Sequence, residues 1–295
     1  MIQKRRDRLI STISINSFFI LICVLFLIPI ILIISISLSS SDAIYQYGYS
    51  LFPKEINFDA YQYLFQDSTQ IVQSYWVTIR VVVIGGIASL LLTAMIAYPL
   101  SREHYKLKNQ VSFIVFFTML FNGGLVPWYI LITNYLHLKD TIWVLILPYL
   151  ISAWNVILMR TFFKSIPNEV LEAAEIDGAN ELQIFIKMVL PMSKPGLATI
   201  GLLTALRYWN DWWLGMLFIE KDELIPLQYL LYRLMTNIEE LKNDALQGAA
   251  TAVMDLPTEP ARMAMAVIAA GPMLLIFPFF QKYFVKGLTV GAVKG

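Results

Sequence analysis

From Phe18 to Leu38 the chain runs for about 21 residues without one charged side chain. Coiled into a helix at ~1.5 Å per residue, such a run matches the ~30 Å apolar layer of a bilayer. It exceeds the ~7–15 apolar residues of a cleavable secretory signal. Lys4, Arg5, Arg6 and Arg8 before it and Ser39, Ser40 and Ser41 after it imitate that layout, but the length predicts a retained first membrane helix. Lipid offers no partner to an exposed backbone amide, so a chain anchored this way crosses the membrane as helices.

Five further stretches meet the same test. The sequence predicts an all-α membrane protein of one transmembrane domain, 1–295, with six transmembrane helices over about 14–38, 76–100, 111–132, 141–159, 196–218 and 263–280. The third is interrupted by Asn122, Gly123, Gly124 and Pro127. Hydrophobic residues make up 58% of the chain and charged ones 15%, a balance no soluble domain of this size can bury. The net charge of +1 gives no overall basic field for nucleic acid. The single cysteine, Cys23, excludes an internal disulfide, and His104 and His137 belong to no metal-binding cluster.

Lys and Arg alternate between the connections. One side carries Lys4, Arg5, Arg6 and Arg8, then Arg102, Lys106, Lys108, Arg160, Lys164, Lys187, Lys194, Lys282, Lys286 and Lys294. The positive-inside rule makes that side cytoplasmic and places both termini there. The opposite connections hold fewer, Lys54, Lys139, Lys221, Arg233, Lys242 and Arg262, and are acidic, with Asp42, Glu55, Asp59 and Asp67 in one and Asp222, Glu223, Glu239, Glu240 and Asp244 in another. The second of these also holds Leu227, Leu230, Leu231, Leu234, Met235 and Ile238 at helical spacing. That helix either covers the bundle or offers a surface to an external partner.

Between the fourth and fifth spans, 165–195 reads as two short helices around a glycine. Ser165 is placed to cap the first, Pro167 fits its first turn, and Glu169 and Glu172 suit the positive end of its dipole. Gly178 supplies a backbone conformation that other residues resist. Asn180 caps a second helix whose Leu182, Phe185, Ile186 and Val189 form one face, and Pro191 and Pro195 end it. Ala173 and Ala174 are small enough to let another backbone approach. Such a knob suits a rigid joint between two proteins.

The spacing is Glu172-Ala173-Ala174, three residues, Gly178, nine residues, then Met188-x-Leu190-Pro191. It resembles the cytoplasmic coupling motif of bacterial ATP-binding-cassette (ABC) importer permeases, which carries Ile where Met188 stands. The longer form, with Asp177, Ala179, Phe185 and Pro195, is similar to the maltose-type carbohydrate branch. The elements Asn122 to Pro127, Trp209-Asn210-Asp211-Trp212, Phe277 to Gly287 and Gly291 to Gly295 also resemble these permeases, and the first and the last two look like the complex-oligosaccharide subgroup. The resemblance implies a non-catalytic permease of the bacterial cytoplasmic membrane that moves oligosaccharides inward by alternating access. It implies that Glu172, Ala173, Ala174, Asp177, Gly178, Ala179 and Pro191 meet the ATPase. The implied partners are a homologous second permease, two ATP-binding subunits and an extracellular solute-binding protein. No cofactor is expected on this chain, with ATP and Mg²⁺ on the ATPase subunits.

Charge at bilayer depth is costly and marks a cavity or partner. In the predicted fifth span Arg207, Asn210 and Asp211 stand among Tyr208, Trp209, Trp212 and Trp213. Aromatic faces beside polar groups suit a sugar, so Arg207 to Trp212, with Trp154 and Asn155 of the fourth span, are candidates for the substrate path. An Arg207–Asp211 pair at i,i+4 with packing tryptophans is the other reading. Gly85-Gly86, Gly123-Gly124 and Gly271-Pro272 are expected at close helix contacts or bends. No G-x-x-x-x-G-K-[ST] and no G-x-S-x-G occurs, so neither phosphate binding in the Walker manner nor nucleophilic catalysis is expected. Import of a non-sugar solute by the same architecture, an ion-driven transporter and a membrane enzyme are the competing classes.

Overall fold

The computed structural model describes residues 2–246 and 258–292, so Lys294 and the last three residues of the Gly291 to Gly295 element lie outside the described residues. The described part is helical, with one isolated antiparallel bridge, Ser39 to Ile56, and no strand. In chain order the helices are α1 (Ile2–Ser37), α2 (Ser41–Tyr47), α3 (Asp59–Leu64), α4 (Ser68–Ser101), α5 (Lys108–Leu120), α6 (Leu125–Ile130) and α7 (Ala153–Lys164). They continue as α8 (Asn168–Ile176), α9 (Glu181–Ile184), α10 (Leu190–Met192), α11 (Lys194–Trp209), α12 (Trp213–Phe218), α13 (Leu227–Leu246) and α14 (Thr258–Ala292). By length and composition α1, α4 and α14 each hold a stretch able to cross a membrane.

The expected third, fourth and fifth spans are not straight helices. The chain bends by 111° between α5 and the α6 region and by 52° between Ile142–Tyr149 and α7, inside the expected third and fourth spans. The expected fifth is interrupted at Asn210–Trp212, and a further bend of 80°, between Glu181–Met192 and α11, precedes it. The Asn122–Pro127 interruption and the Pro191 and Pro195 stop mark two of these bends in the sequence, whereas the one between Tyr149 and Ala153 lies in a stretch that reads as continuous. Each break has a local cause. Gly124 takes φ +88°, open to glycine, while Asn122 Oδ1 accepts the Gly124 amide at 2.9 Å. The second falls past the tight 3₁₀ turn Leu147–Tyr149, where Ser152 turns extended ahead of α7, and Pro195 opens α11.

The chain divides into two compact units. One comprises Met1–Ser68 with Arg233–Gly271. In it the Ser40 hydroxyl caps α2, Ser37 and Tyr61 hydroxyls meet at 2.9 Å, and Arg262 pairs with Glu239 at 2.7 Å. Most apolar side chains of α1 between Ile13 and Ile31 are exposed, as befits a helix whose solvent is lipid or another subunit.

The other unit comprises Thr69–Tyr232 with Pro272–Gly295. Its core joins Ala94, Ala97, Tyr98 and Leu100 of α4 to Val156, Met159 and Phe163 of α7, to Leu171 and Ala174 of α8, and to Ile184, Val189 and Ile200. Gly85 is needed on α4 because a Cβ there would stand 2.7 Å from Tyr208 Cζ of α11. Gly86, Gly123 and Gly271 have open space around an added Cβ, so the expected close contact falls on Gly85 alone of these. On α13, Leu227, Leu230, Leu231 and Ile238 are buried as its spacing predicts, while Met235 is exposed.

Candidate functional site: a helical elbow and a broken helix

The elbow begins where α7 ends. The Ser165 hydroxyl donates back to the Phe162 carbonyl at 2.7 Å, so it closes α7 and does not cap α8. Pro167, extended at ψ 132°, takes the capping position without a side-chain hydrogen bond, and α8 starts at Asn168. Asp177 ends α8, and Gly178 follows with φ +84°. Asn180 then forms a reciprocal capping box with Gln183, at 2.9 and 3.0 Å, which starts α9. A helix, a left-handed glycine and a capped helix emerge as the spacing predicts.

Which faces are buried differs from the sequence reading. Leu171 and Ala174 point into the core, whereas Ala173 is exposed. After α9 the backbone widens into a π turn, Phe185–Val189. That turn shifts the buried stripe to Ile184 and Val189, with Phe185 and Met188 partly covered, and leaves Leu182 and Ile186 exposed. Ile176, two residues beyond Ala174 and so ~200° around the helix, is 86% exposed at the tip. Sequence reading passed over Ile176, although its helical angle gave the signal. Glu172, Asp177, Gly178 and Pro191 are exposed and Ala179 half-buried. An open groove lined by Glu169, Val170, Ala173, Ala174, Asp177, Ala179 and Met188 runs along the elbow.

Arg102, just past α4, ties this elbow to the bundle. Its side chain is 12% exposed; its guanidinium pairs closely with Glu175 of α8 and reaches Glu181 of α9 at 3.3 Å. The Tyr98 hydroxyl also donates to Glu181. Both carboxylates keep much of their surface in water, so the ion pairs contribute no more than about 1 kcal/mol. Their value is geometric: they fix the elbow's angle on α4, while the shared core resists relative sliding.

The second constellation surrounds a break in the expected fifth span. α11 ends at Trp209, Asn210 to Trp212 are non-helical, and α12 resumes at Trp213. Arg207 does not pair with Asp211; its guanidinium lies 4.1 Å over the Tyr149 ring. The Tyr149 hydroxyl donates to Asp211 Oδ1 at 2.9 Å, and the Leu214 amide donates to Oδ2 at 3.3 Å. Asp211, one residue before the Trp212 cap position, thus holds the start of α12 through the Leu214 amide, and its backbone has left the helix that an i,i+4 pair requires. Tyr208 and Trp209 are buried, Tyr208 donating to the Ile146 carbonyl at 2.9 Å. Asn210 and Trp212 are exposed, as is Trp154, while buried Asn155 donates to Thr204 at 3.2 Å. Beside Tyr149 lies a groove shared with Asn122, Gly123, Gly124, Trp128 and Trp213.

Near α12 a turn is pinned by Asp140, at φ +57°. Its Oδ1 accepts the Glu220 and Lys221 amides at 2.7 and 3.0 Å, and its own amide donates to Phe218. Slight burial pushes the Asp140 carboxyl upward, but those two amides outweigh it and hold the group below its ordinary value.

Residues 89–290 match the family of binding-protein-dependent transport system inner membrane components. The chain is 38% identical over 278 residues to the polygalacturonan/rhamnogalacturonan transport system permease protein YtcP of Bacillus subtilis, covering 94% of each chain. It is 36% identical over 271 residues to protein LplC of the same organism, covering 91% of this chain and 90% of that one. Among solved structures it resembles, at TM-score 0.77 and 34% identity, a chain of a bacterial ABC transporter involved in the import of the acidic polysaccharide alginate, covering 95% of this chain and 98% of that one. With more than half its length matched and relatives of this identity along nearly all of it, the chain belongs to the inner membrane components of binding-protein-dependent transport systems.

Proposed function

We propose that this chain is one of two homologous membrane-spanning subunits of an ABC importer that carries oligosaccharides, polysaccharide fragments among them, into a bacterial cell by alternating access. Family membership supports the transport role, and the names of the relatives support a carbohydrate cargo. In this reading α1, α4, α14, the bent pairs α5–α6 and Ile142–Tyr149 with α7, and α11 with α12 make six crossings, with both termini cytoplasmic, as the Lys and Arg bias requires. The chain itself is non-catalytic. ATP and Mg²⁺ bind to two separate ATPase subunits, and an extracellular solute-binding protein delivers the cargo.

The observation that carries this reading is an elbow joined inward and unpartnered outward. Ile176, Leu182 and Ile186 expose apolar surface beside Glu172, Asp177 and the open groove, while Arg102 and the core bind the same element to α4, α7 and α11. A partner seated on the outer side moves the elbow, and the elbow moves the helices. Coupling then needs the ATPase to hold the elbow differently in its two states, because equal binding to both shifts nothing. Arg207, Asn210, Asp211, Trp212 and Trp154 are proposed to face the cargo's path, with Tyr208, Trp209 and Asn155 fixing them from within.

Glu172→Lys in the complete transporter, reconstituted in vesicles, tests the coupling role. Sugar uptake per ATP hydrolysed falls at least about tenfold while the subunits still co-purify, since one reversed charge at a joint outweighs the ~1.4 kcal/mol that a tenfold change represents. Uptake and hydrolysis in the normal ratio would refute it.

A further inference from the structure

Arg207 occupies the last turn of α11, where any cation complements the helix dipole. Three observations ask more of it. Its side chain is exposed, no carboxylate among the described residues lies within ion-pair distance of it, and its guanidinium is stacked over Tyr149 at 4.1 Å. Stacking engages the face of the guanidinium and leaves its N–H edge free. That edge is a planar fork matched to a carboxylate in bidentate geometry. Asp211 supplies the compensating charge at a distance, and its oxygens already accept from the Tyr149 hydroxyl and the Leu214 amide.

Tyr149 also walls the groove that Trp128, Trp213, Asn122 and Gly123 complete. Aromatic faces receive the CH face of a pyranose ring, and Asn122 offers polar edges to hydroxyls. A neutral sugar on this surface leaves the N–H fork of Arg207 balanced by the Asp211 carboxylate at a distance, without the direct bidentate contact a carboxylate on the sugar supplies. A uronic acid places a carboxylate at the rim of the same ring whose face the aromatics hold. We propose that Arg207 and the Tyr149 groove form a subsite for a carboxylate-bearing sugar unit, so that the cargo is an acidic oligosaccharide. This rests on the oligosaccharide reading above and narrows it.

The test uses the complete transporter in vesicles, offered trimers of galacturonate, mannuronate and glucuronate and the same trimers with their carboxyls methyl-esterified. The readout is the ratio of ATP-dependent uptake, acid over ester, in wild type and in Arg207→Gln; comparing the two complexes cancels the preference of the binding protein. Wild type should favour an acid trimer and Arg207→Gln should lower the ratio about tenfold, the worth of one bidentate charged contact. If Arg207→Gln fails to assemble, Arg207→Lys decides, with a fall of about threefold expected from the loss of the fork. An unchanged ratio in the variant that assembles, or a wild type that favours the ester, overturns the acidic subsite and leaves oligosaccharide import standing. Failure of wild type to take up any of these trimers, acid or ester, overturns the acidic subsite, and failure with neutral oligosaccharides offered alongside them overturns oligosaccharide import as well.

Discussion

The elbow at 165–195 and the broken helix at Trp209–Trp213 are both irregular, yet they are built by opposite means. In the elbow, local rules decide the backbone: Gly178 takes a left-handed turn and Asn180 caps the helix after it. At the broken helix, distant residues decide: Tyr149 holds Asp211, Ile146 receives the Tyr208 hydroxyl, and Gly85 makes room for the Tyr208 ring. An element fixed by its own sequence keeps its shape while it travels. An element fixed by neighbours changes shape when they move, which is what a gate or a cargo path needs.

Substitutions can break this contrast. The largest effect is expected from Gly85→Val, which drives two methyl groups into the Tyr208 ring. Overpacking of this kind costs ~1–3 kcal/mol, and the purified transporter should melt at a lower temperature with the broken helix loosened. Restored melting in Gly85→Val with Tyr208→Ala would assign the loss to that contact. Next comes Gly178→Val, where a branched residue at φ +84° costs ~1–2 kcal/mol locally. It should lower ATP-dependent uptake more than melting temperature, and Gly178→Asn, which tolerates that conformation, should recover most of it. Equal loss in the Val and Asn variants would mean that the elbow's backbone is not what matters.

The smallest effect belongs to Asp140. Its carboxyl titrates below the ordinary 3.8, so its two hydrogen bonds stabilise the turn fully above that pH and fade as pH falls through the lowered value. Hydrogen exchange at the Glu220 and Lys221 amides, corrected for intrinsic rates, should lose protection only in that acidic window. Asp140→Asn should remove the dependence, and a pH response persisting in that variant would place the switch elsewhere.

The same contrast explains what was legible from sequence. Apolar runs, the glycine elbow, the Asn180 cap and the α13 face follow from short-range chemistry and were readable. The bend between Tyr149 and Ala153 and the break at Asn210–Trp212 fall inside stretches that composition alone renders continuous, whereas the interruption at Asn122–Pro127 and the proline stop before α11 were readable. The π turn at Phe185–Val189 moved the buried stripe off Leu182 and Ile186, and no periodicity announces it. Arg102 was readable only as a basic residue of an inside connection; its partners lie 73 and 79 residues away in sequence. Tyr149, 62 residues from Asp211, was equally hidden.

The central claim is that a partner ATPase sits on the elbow. Cys23 is the chain's one cysteine, so Cys23→Ser with Ile176→Cys gives a single thiol at the elbow's tip. In the assembled transporter that thiol should react slowly with a maleimide and, carrying a photo-activated cross-linker, join this chain to the ATP-binding subunit. A thiol that reacts as fast in the complex as in the separated chain, and yields no such cross-link in any nucleotide state, would contradict the account.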